Sequence, residues 1–162
     1  MRQADLRQIQ DAFAGPLASF VDESAVRLAV LINRSGQVLA QEGFDRIDDL
    51  VGVASLAAGI NASSRALASQ LGQEDFEHLH HAGRLRQLFL GQFDTGGGLL
   101  ILVTVFDEAS SIGLVRLFFE QMVDEVRQLS VMDAPPVSVS ADNFEAELES
   151  SLDRFFRDLM GG

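Results

Sequence analysis

Apolar residues recur at steps of three and four through the first stretch of the chain, at Leu6, Ile9, Phe13, Leu17 and Phe20. That spacing puts them on one face of a helix over residues 4–21. Gly15-Pro16 interrupts it. A proline ring removes a backbone donor and clashes with the preceding turn, so a kink or two short helices are expected there. The pattern then changes. Val26 to Ile32 is a continuous apolar run with one Arg, and Asn33-Arg34-Ser35-Gly36 supplies turn chemistry before Val38, Leu39 and Ala40. The two runs read as a β-hairpin whose first strand, apolar on both faces, lies inside a sheet.

From Asp48 to Leu71 the helical period returns. Leu50, Val53, Ala57, Ile60, Leu67 and Leu71 trace a face that would pack on a sheet, with Ser64 at the intervening step. A second stripe, Ala54, Ala58, Ala62 and Ala66, runs at intervals of four and is flanked by Ser55, Gly59 and Ser63. Small side chains let another backbone come close. Because the leucine stripe already occupies the layer boundary that a single-sheet domain offers, the alanine stripe is read as facing another protein. Asp48 is placed to cap the helix start, and Gly72 to take the left-handed conformation at its end.

Phe76 to His81 alternates enough for a short strand. Leu85–Phe93 and Leu99–Phe106 are strands joined by the hairpin signal Asp94-Thr95-Gly96-Gly97-Gly98. Ser110 and Ser111 offer capping hydroxyls to a helix over 112–129, with Leu114, Leu117, Phe118, Met122, Val126 and Leu129 as its apolar face. These elements make one domain over residues 1–131. Residues 132–141, containing Pro135-Pro136, read as a linker. Residues 142–162 read as an acidic amphipathic helix, with Phe144, Leu148, Leu152, Phe155, Phe156 and Leu159 on one side and a capping-box-like start at Asp142 and Glu145. Such a helix suits a protein groove better than a lipid surface.

Charge narrows the chemistry. The chain of 162 residues carries 24 Asp and Glu against 12 basic residues, a formal charge of -12, and every basic residue is Arg. Without lysine there is no Walker-type phosphate loop, Schiff base or lysine general base. The acidic surplus argues against nucleic acid or an anionic membrane as the main partner. Zero Cys removes disulfides, Cys-ligated zinc, iron–sulfur clusters and thiol nucleophiles. No signal-peptide layout opens the chain and no run approaches about 18 apolar residues, so a soluble, cytoplasmic protein is expected.

Four candidate chemistries remain. His78, His80 and His81 lie near Glu74, Asp75 and Glu77, but no further spaced ligand exists and a surface strand explains them equally well, so no metal is assigned. Gly96-Gly97-Gly98 joins two strands and reads as a turn, not a phosphate cradle. Ser55, Ser63 and Ser64 lack a nucleophile-elbow or Ser-x-x-Lys context. Arg65 is weighed as an arginine finger, but a single Arg on a helix is commonplace whereas such fingers usually sit on mobile loops. No cofactor and no catalytic residue are assigned.

The Asn33–Gly36 hairpin, the long helix VGVASLAAGINASSRALASQLGQEDF, the passage LVTVFDEASSIGLVRL and the order of elements resemble the Roadblock/dynein light-chain domain family, most closely its bacterial MglB-type members, from about Asp5 to Leu129. The acidic, Phe-containing tail resembles theirs as well. The resemblance implies an α/β (α+β) fold: a five-stranded antiparallel sheet between a long helix and two flanking helices, plus the amphipathic tail helix. It implies a homodimer whose paired long helices contact a small Ras-like GTPase of the MglA type. Hydrolysis would be stimulated by remodelling the GTPase and not by an arginine finger, in the service of cell polarity or motility. The GTPase-binding and dimer positions carry over as Ala54, Ala58, Ala62, Arg65 and Ala66. The tail's role, a second contact that favours nucleotide exchange, falls to Phe144, Leu148, Leu152, Phe155 and Phe156. Arg65-Ala66 stands where relatives can have a glycine pair. An alternative of another class is a Roadblock scaffold that binds a GTPase without changing turnover. A small-molecule sensor would need converging polar groups that the strands do not supply.

Overall fold

The computed structural model describes residues 3–129 together with Arg154 and Arg157. The elements run α1 (Gln3–Ser24), β1 (Leu28–Asn33), β2 (Val38–Glu42), α2 (Ile47–Gln70), β3 (His78–Ala82), β4 (Gln87–Thr95), β5 (Gly98–Phe106) and α3 (Ile112–Arg127). The strands form one antiparallel sheet in the order β2-β1-β5-β4-β3. As its apolar run predicts, β1 lies inside the sheet, paired on both sides.

Period-two alternation divides each inner strand between two cores. Ala29, Leu31, Phe89, Phe93, Leu100, Leu102 and Phe106 point to the face covered by α1 and α3. Val30, Ile32, Leu90, Ile101 and Val103 point to the face covered by α2. The long helix therefore lies on one side and the first and last helices on the other, the expected arrangement. The tail positions Phe144, Leu148, Leu152, Phe155 and Phe156, like the linker, fall outside the described residues. Arg154 and Arg157 are helical and exposed.

Two local expectations are corrected. Helix α1 runs through Pro16 as one element, which overturns the alternative of two short helices. Proline in a helix interior costs about 3 kcal/mol. Phe13, Leu17 and Phe20 around it are almost wholly buried, and each contributes roughly 1.5–3 kcal/mol, so packing overrides the local penalty. Asp48 is not the cap of α2. The N-cap position is held by Arg46 in an extended conformation without a side-chain cap, and Asp48 and Asp49 sit in the first turn, where their charges favour the positive helix end. The other end follows the pattern: Gly72 has φ +66, its N–H donates to the Ser69 carbonyl and the Gln73 N–H to the Ala68 carbonyl, which is a Schellman closure. Helix α3 starts at Ser111, whose hydroxyl accepts from the Leu114 N–H at 3.2 Å.

Candidate docking site

Helix α2 is open on its outer side. Of its 24 residues, Ala54, Ala57, Asn61 and Ala68 are buried, while Ile47, Val51, Leu56 and Leu67 are each more than half exposed, as is Leu71 at its C-cap. From Leu50 through Ser64 it has no charged residue. An apolar helix face without charges is poorly suited to water and well suited to another protein.

The two stripes do not divide as their spacing suggests. Four residues advance about 400° around a helix of 3.6 residues per turn, so a stripe at intervals of four drifts by about 40° per step. Ala54, at 1% exposure, is packed against the sheet and cannot meet a partner. Three steps on, Ala66 is exposed. The leucine stripe drifts likewise, with Ala57 buried and Leu67 and Leu71 on the outside. The seam on the sheet combines both stripes.

The remaining predicted positions come together. Ala58, Ala62, Arg65 and Ala66 line one hollow of about 470 Å³ with Arg34, Asn61, Ser69 and Asp75. The β1–β2 turn builds one wall. Asn33 Oδ1 accepts from the Ser35 and Gln37 N–H groups at 3.1 and 3.0 Å, and Gly36 takes φ +85. A Cβ on Gly36 would lie 3.4 Å from the Ala54 carbonyl oxygen and the Ala58 Cβ, so the turn carrying Arg34 rests directly on α2. Arg65 Nε donates to the Asp75 carboxylate at 3.0 Å. A pair this open is worth at most about 1 kcal/mol; its effect is to hold the guanidinium against the loop before β3 rather than leave it projecting as a finger. Asn61 is 5% exposed and lines the hollow. Arg34, Asn61 and Asp75 escaped the sequence reading. The signal available was Asn61, a polar residue at helical spacing among the small residues of the sheet-facing seam.

The other candidates have partners within the fold. His78 and His80 do point to one side of β3, as a His-x-His pair should. There His78 stacks on Phe89 with ring centroids 5.7 Å apart, and His80 stacks on Phe106 and meets Gln87 Oε1 at 2.6 Å. Among the described residues no group of three or more His, Asp or Glu side chains is placed to hold a metal. Burial first, and then the Arg116 guanidinium, hold the His78 pKa below its ordinary value. Gly96 and Gly97 form the β4–β5 turn, where Thr95 Oγ1 donates to the Gly98 carbonyl.

The Roadblock/LC7 domain family matches residues 17–103. Among solved structures, MglB of Myxococcus xanthus superposes with a TM-score of 0.65 at 27% identity, covering 72% of this chain and 92% of that one. The gliding protein MglB of Thermus thermophilus gives 0.65 at 27% identity, covering 82% and 94%. A Roadblock/LC7 domain from Streptomyces avermitilis shares the fold, with a TM-score of 0.62 at 21% identity over 70% and 92%. No curated protein matches in sequence.

Proposed function

Because the chain belongs to the Roadblock/LC7 domain family, we propose that it regulates a small Ras-like GTPase of the MglA type, acting as a homodimer that accelerates GTP hydrolysis without a catalytic group of its own. The observation that carries this reading is the hollow on α2, lined by Ala58, Ala62 and Ala66 and by the polar Asn61. Small side chains let a partner's backbone approach, and the Asn61 amide offers it a hydrogen-bonding group. Arg65, held by Asp75, supports a mechanism other than an arginine finger. A regulator of this kind works by binding the hydrolysis-competent conformation of the GTPase more tightly than the incompetent one.

The dimer uses the other flank of α2, where Leu56 and Leu67 are exposed, together with the edge of β3, beside whose outer backbone groups no strand lies among the described residues. Phe144, Leu148, Leu152, Phe155 and Phe156 of the tail make a second contact with the GTPase that promotes exchange. The setting is the cytoplasm, in cell polarity or motility; one of the similar structures is described as a gliding protein.

Timing phosphate release from the GTP-loaded GTPase with saturating dimer tests the proposal, with faster release expected; unchanged hydrolysis despite binding in both nucleotide states would identify a scaffold instead. Ala62→Arg, at an exposed position, is expected to leave the fold intact and abolish capture of the GTPase. Capture at the native level would place the docking face elsewhere.

A further inference from the structure

We propose that Arg65, fixed by Asp75 in the lining of the α2 hollow, is a receptor for a carboxylate, and that the docking partner inserts an Asp or Glu side chain there. The receptor stands on the geometry of this chain; that the carboxylate belongs to a GTPase rests on the function proposed above.

The guanidinium is held from one side. Arg65 Nε donates to Asp75 Oδ2 at 3.0 Å, and its two Nη groups make no hydrogen bond among the described residues. A guanidinium carries its donors in a rigid plane. Fixing Nε therefore fixes the direction of the Nη fork, the edge that takes both oxygens of a carboxylate in two parallel bonds. Arg65 and Asp75 keep 32% and 41% of their side-chain surface exposed, so the fork is open to a ligand.

Asp75 is itself anchored. The residues that follow it are tied to the sheet: the Phe76 carbonyl accepts from Gln92 Nε2 at 3.1 Å and the Glu77 carbonyl from the Gln92 N–H at 3.4 Å. Arg65, for its part, lies within α2, whose end is closed by the Gly72 and Gln73 N–H groups. Much of the rotamer freedom that a long Arg side chain gives up on binding is thus lost beforehand, which is how preorganisation raises affinity. Asp75 and Gln92 are positioning residues; Arg65 makes the contact.

The hollow selects what reaches the fork. Ala58, Ala62 and Ala66 line it beside Arg65, and its volume of about 470 Å³ admits an acidic side chain with its methylenes against the alanines. The uncharged stretch from Leu50 through Ser64 ends at Arg65, so a partner lying on α2 excludes water around the guanidinium. Attraction between the fork and an incoming carboxylate grows as the local dielectric falls. The same exclusion penalises a partner that leaves the Nη donors unpaired. A nucleotide's phosphates stay in the GTPase's own site, outside the hollow, and Arg65 does not project to meet them while Asp75 holds it.

The receptor is tested on the chain alone. With isotope-labelled arginines, N-acetylglutamate N-methylamide is titrated in at constant ionic strength, and the Nε–H signal of Arg65 is followed against that of Arg84, which is exposed in the β3–β4 connection. A saturating shift at Arg65 with a midpoint about tenfold below that of Arg84 is expected, together with shifts of the Ala62 and Ala66 methyl signals. The glutamine analogue should produce neither. Asp75→Asn should raise the midpoint toward that of Arg84, and Arg65→Lys, which keeps the charge and loses the fork, should remove the methyl shifts; the chemical shifts of β1 and β5 report that each variant remains folded. Equal midpoints at Arg65 and Arg84, a native midpoint in Asp75→Asn, or tighter binding of inorganic phosphate than of the glutamate probe at Arg65 would overturn the proposal. With the GTPase, Arg65→Glu is expected to lose capture and a carboxylate-to-arginine change on the GTPase to restore it; capture indifferent to Arg65→Glu would remove the partner's carboxylate from the interface. Because no GTPase enters the titration, its failure leaves the phosphate-release test untouched, and unchanged phosphate release leaves the receptor standing.

Discussion

Two helices close one face of the sheet, and one helix half-closes the other. Among the described residues, seventeen buried apolar residues form one cluster on the α1–α3 side, among them Phe13, Phe89 and Phe106 with almost no exposure. On the α2 side the cluster has seven, and its helical share is Ala54 and Ala57. Stability is therefore concentrated in the first layer. The outer surfaces differ in the same sense. Helix α3 carries Arg116, Glu120, Asp124, Glu125 and Arg127 toward water, with Leu114 and Leu117 partly exposed among them. Helix α2 shows water a charge-free stretch with Leu56 at 72% exposure. A protein that only needed to fold would not leave that side bare; one that binds through it must.

The largest expected effects measure this asymmetry. Phe89→Ala removes a ring that meets Phe119 edge-on at 5.3 Å, and should lower the unfolding free energy by about 3–5 kcal/mol in denaturant titration. Leu56→Ser should cost the fold itself within about 0.5 kcal/mol. Any further loss should grow with protein concentration and vanish on dilution, the signature of a broken contact between copies. Similar, concentration-independent losses for both variants would erase the distinction between the layers.

Both layers were legible in the pattern of apolar positions, because a sheet buried on two faces makes β1 and β5 apolar throughout while covering helices keep a three-and-four period. Pro16 misled because its local penalty is smaller than the burial of Phe13, Leu17 and Phe20, which only the assembled core reveals. Ala54 misled for a geometric reason: four-residue spacing is not parallel to the helix axis. The hollow was half legible. Its floor is a run within α2, but Arg34, Asn61 and Asp75 come from a turn, the seam of the helix and a loop, and no periodicity joins them.

The helix starts separate the layers again, by a smaller amount. Ser111→Ala deletes the side-chain cap of α3 and should cost about 1 kcal/mol, with faster amide exchange in the first turn. Asp48→Ala removes a first-turn charge and no cap, so a loss of about 0.3–1 kcal/mol that shrinks with added salt is expected. A salt-insensitive loss at Asp48 would mean that it bonds the helix start directly.

The smallest effect lies where the closed layer runs out, at β3. His78 stacks on Phe89 and lines a groove with Glu77, Arg116, Glu120, Asp124 and Arg127. Burial, then Arg116, favour its neutral form, and Glu77 opposes them. With a folded pKa below the unfolded value of 6.5, the unfolded chain takes up a proton first as the solution is acidified. This contribution to stability is therefore fully present above 6.5 and is lost as the pH falls through 6.5 toward the folded value. The imidazole Cε1–H shift should follow a midpoint below 6.5. Arg116→Ala should move that midpoint up without restoring the ordinary value, because burial is the larger cause. A midpoint at or above 6.5 in the native chain would show that water reaches the edge of the layer freely, and the closed face would then end at β4.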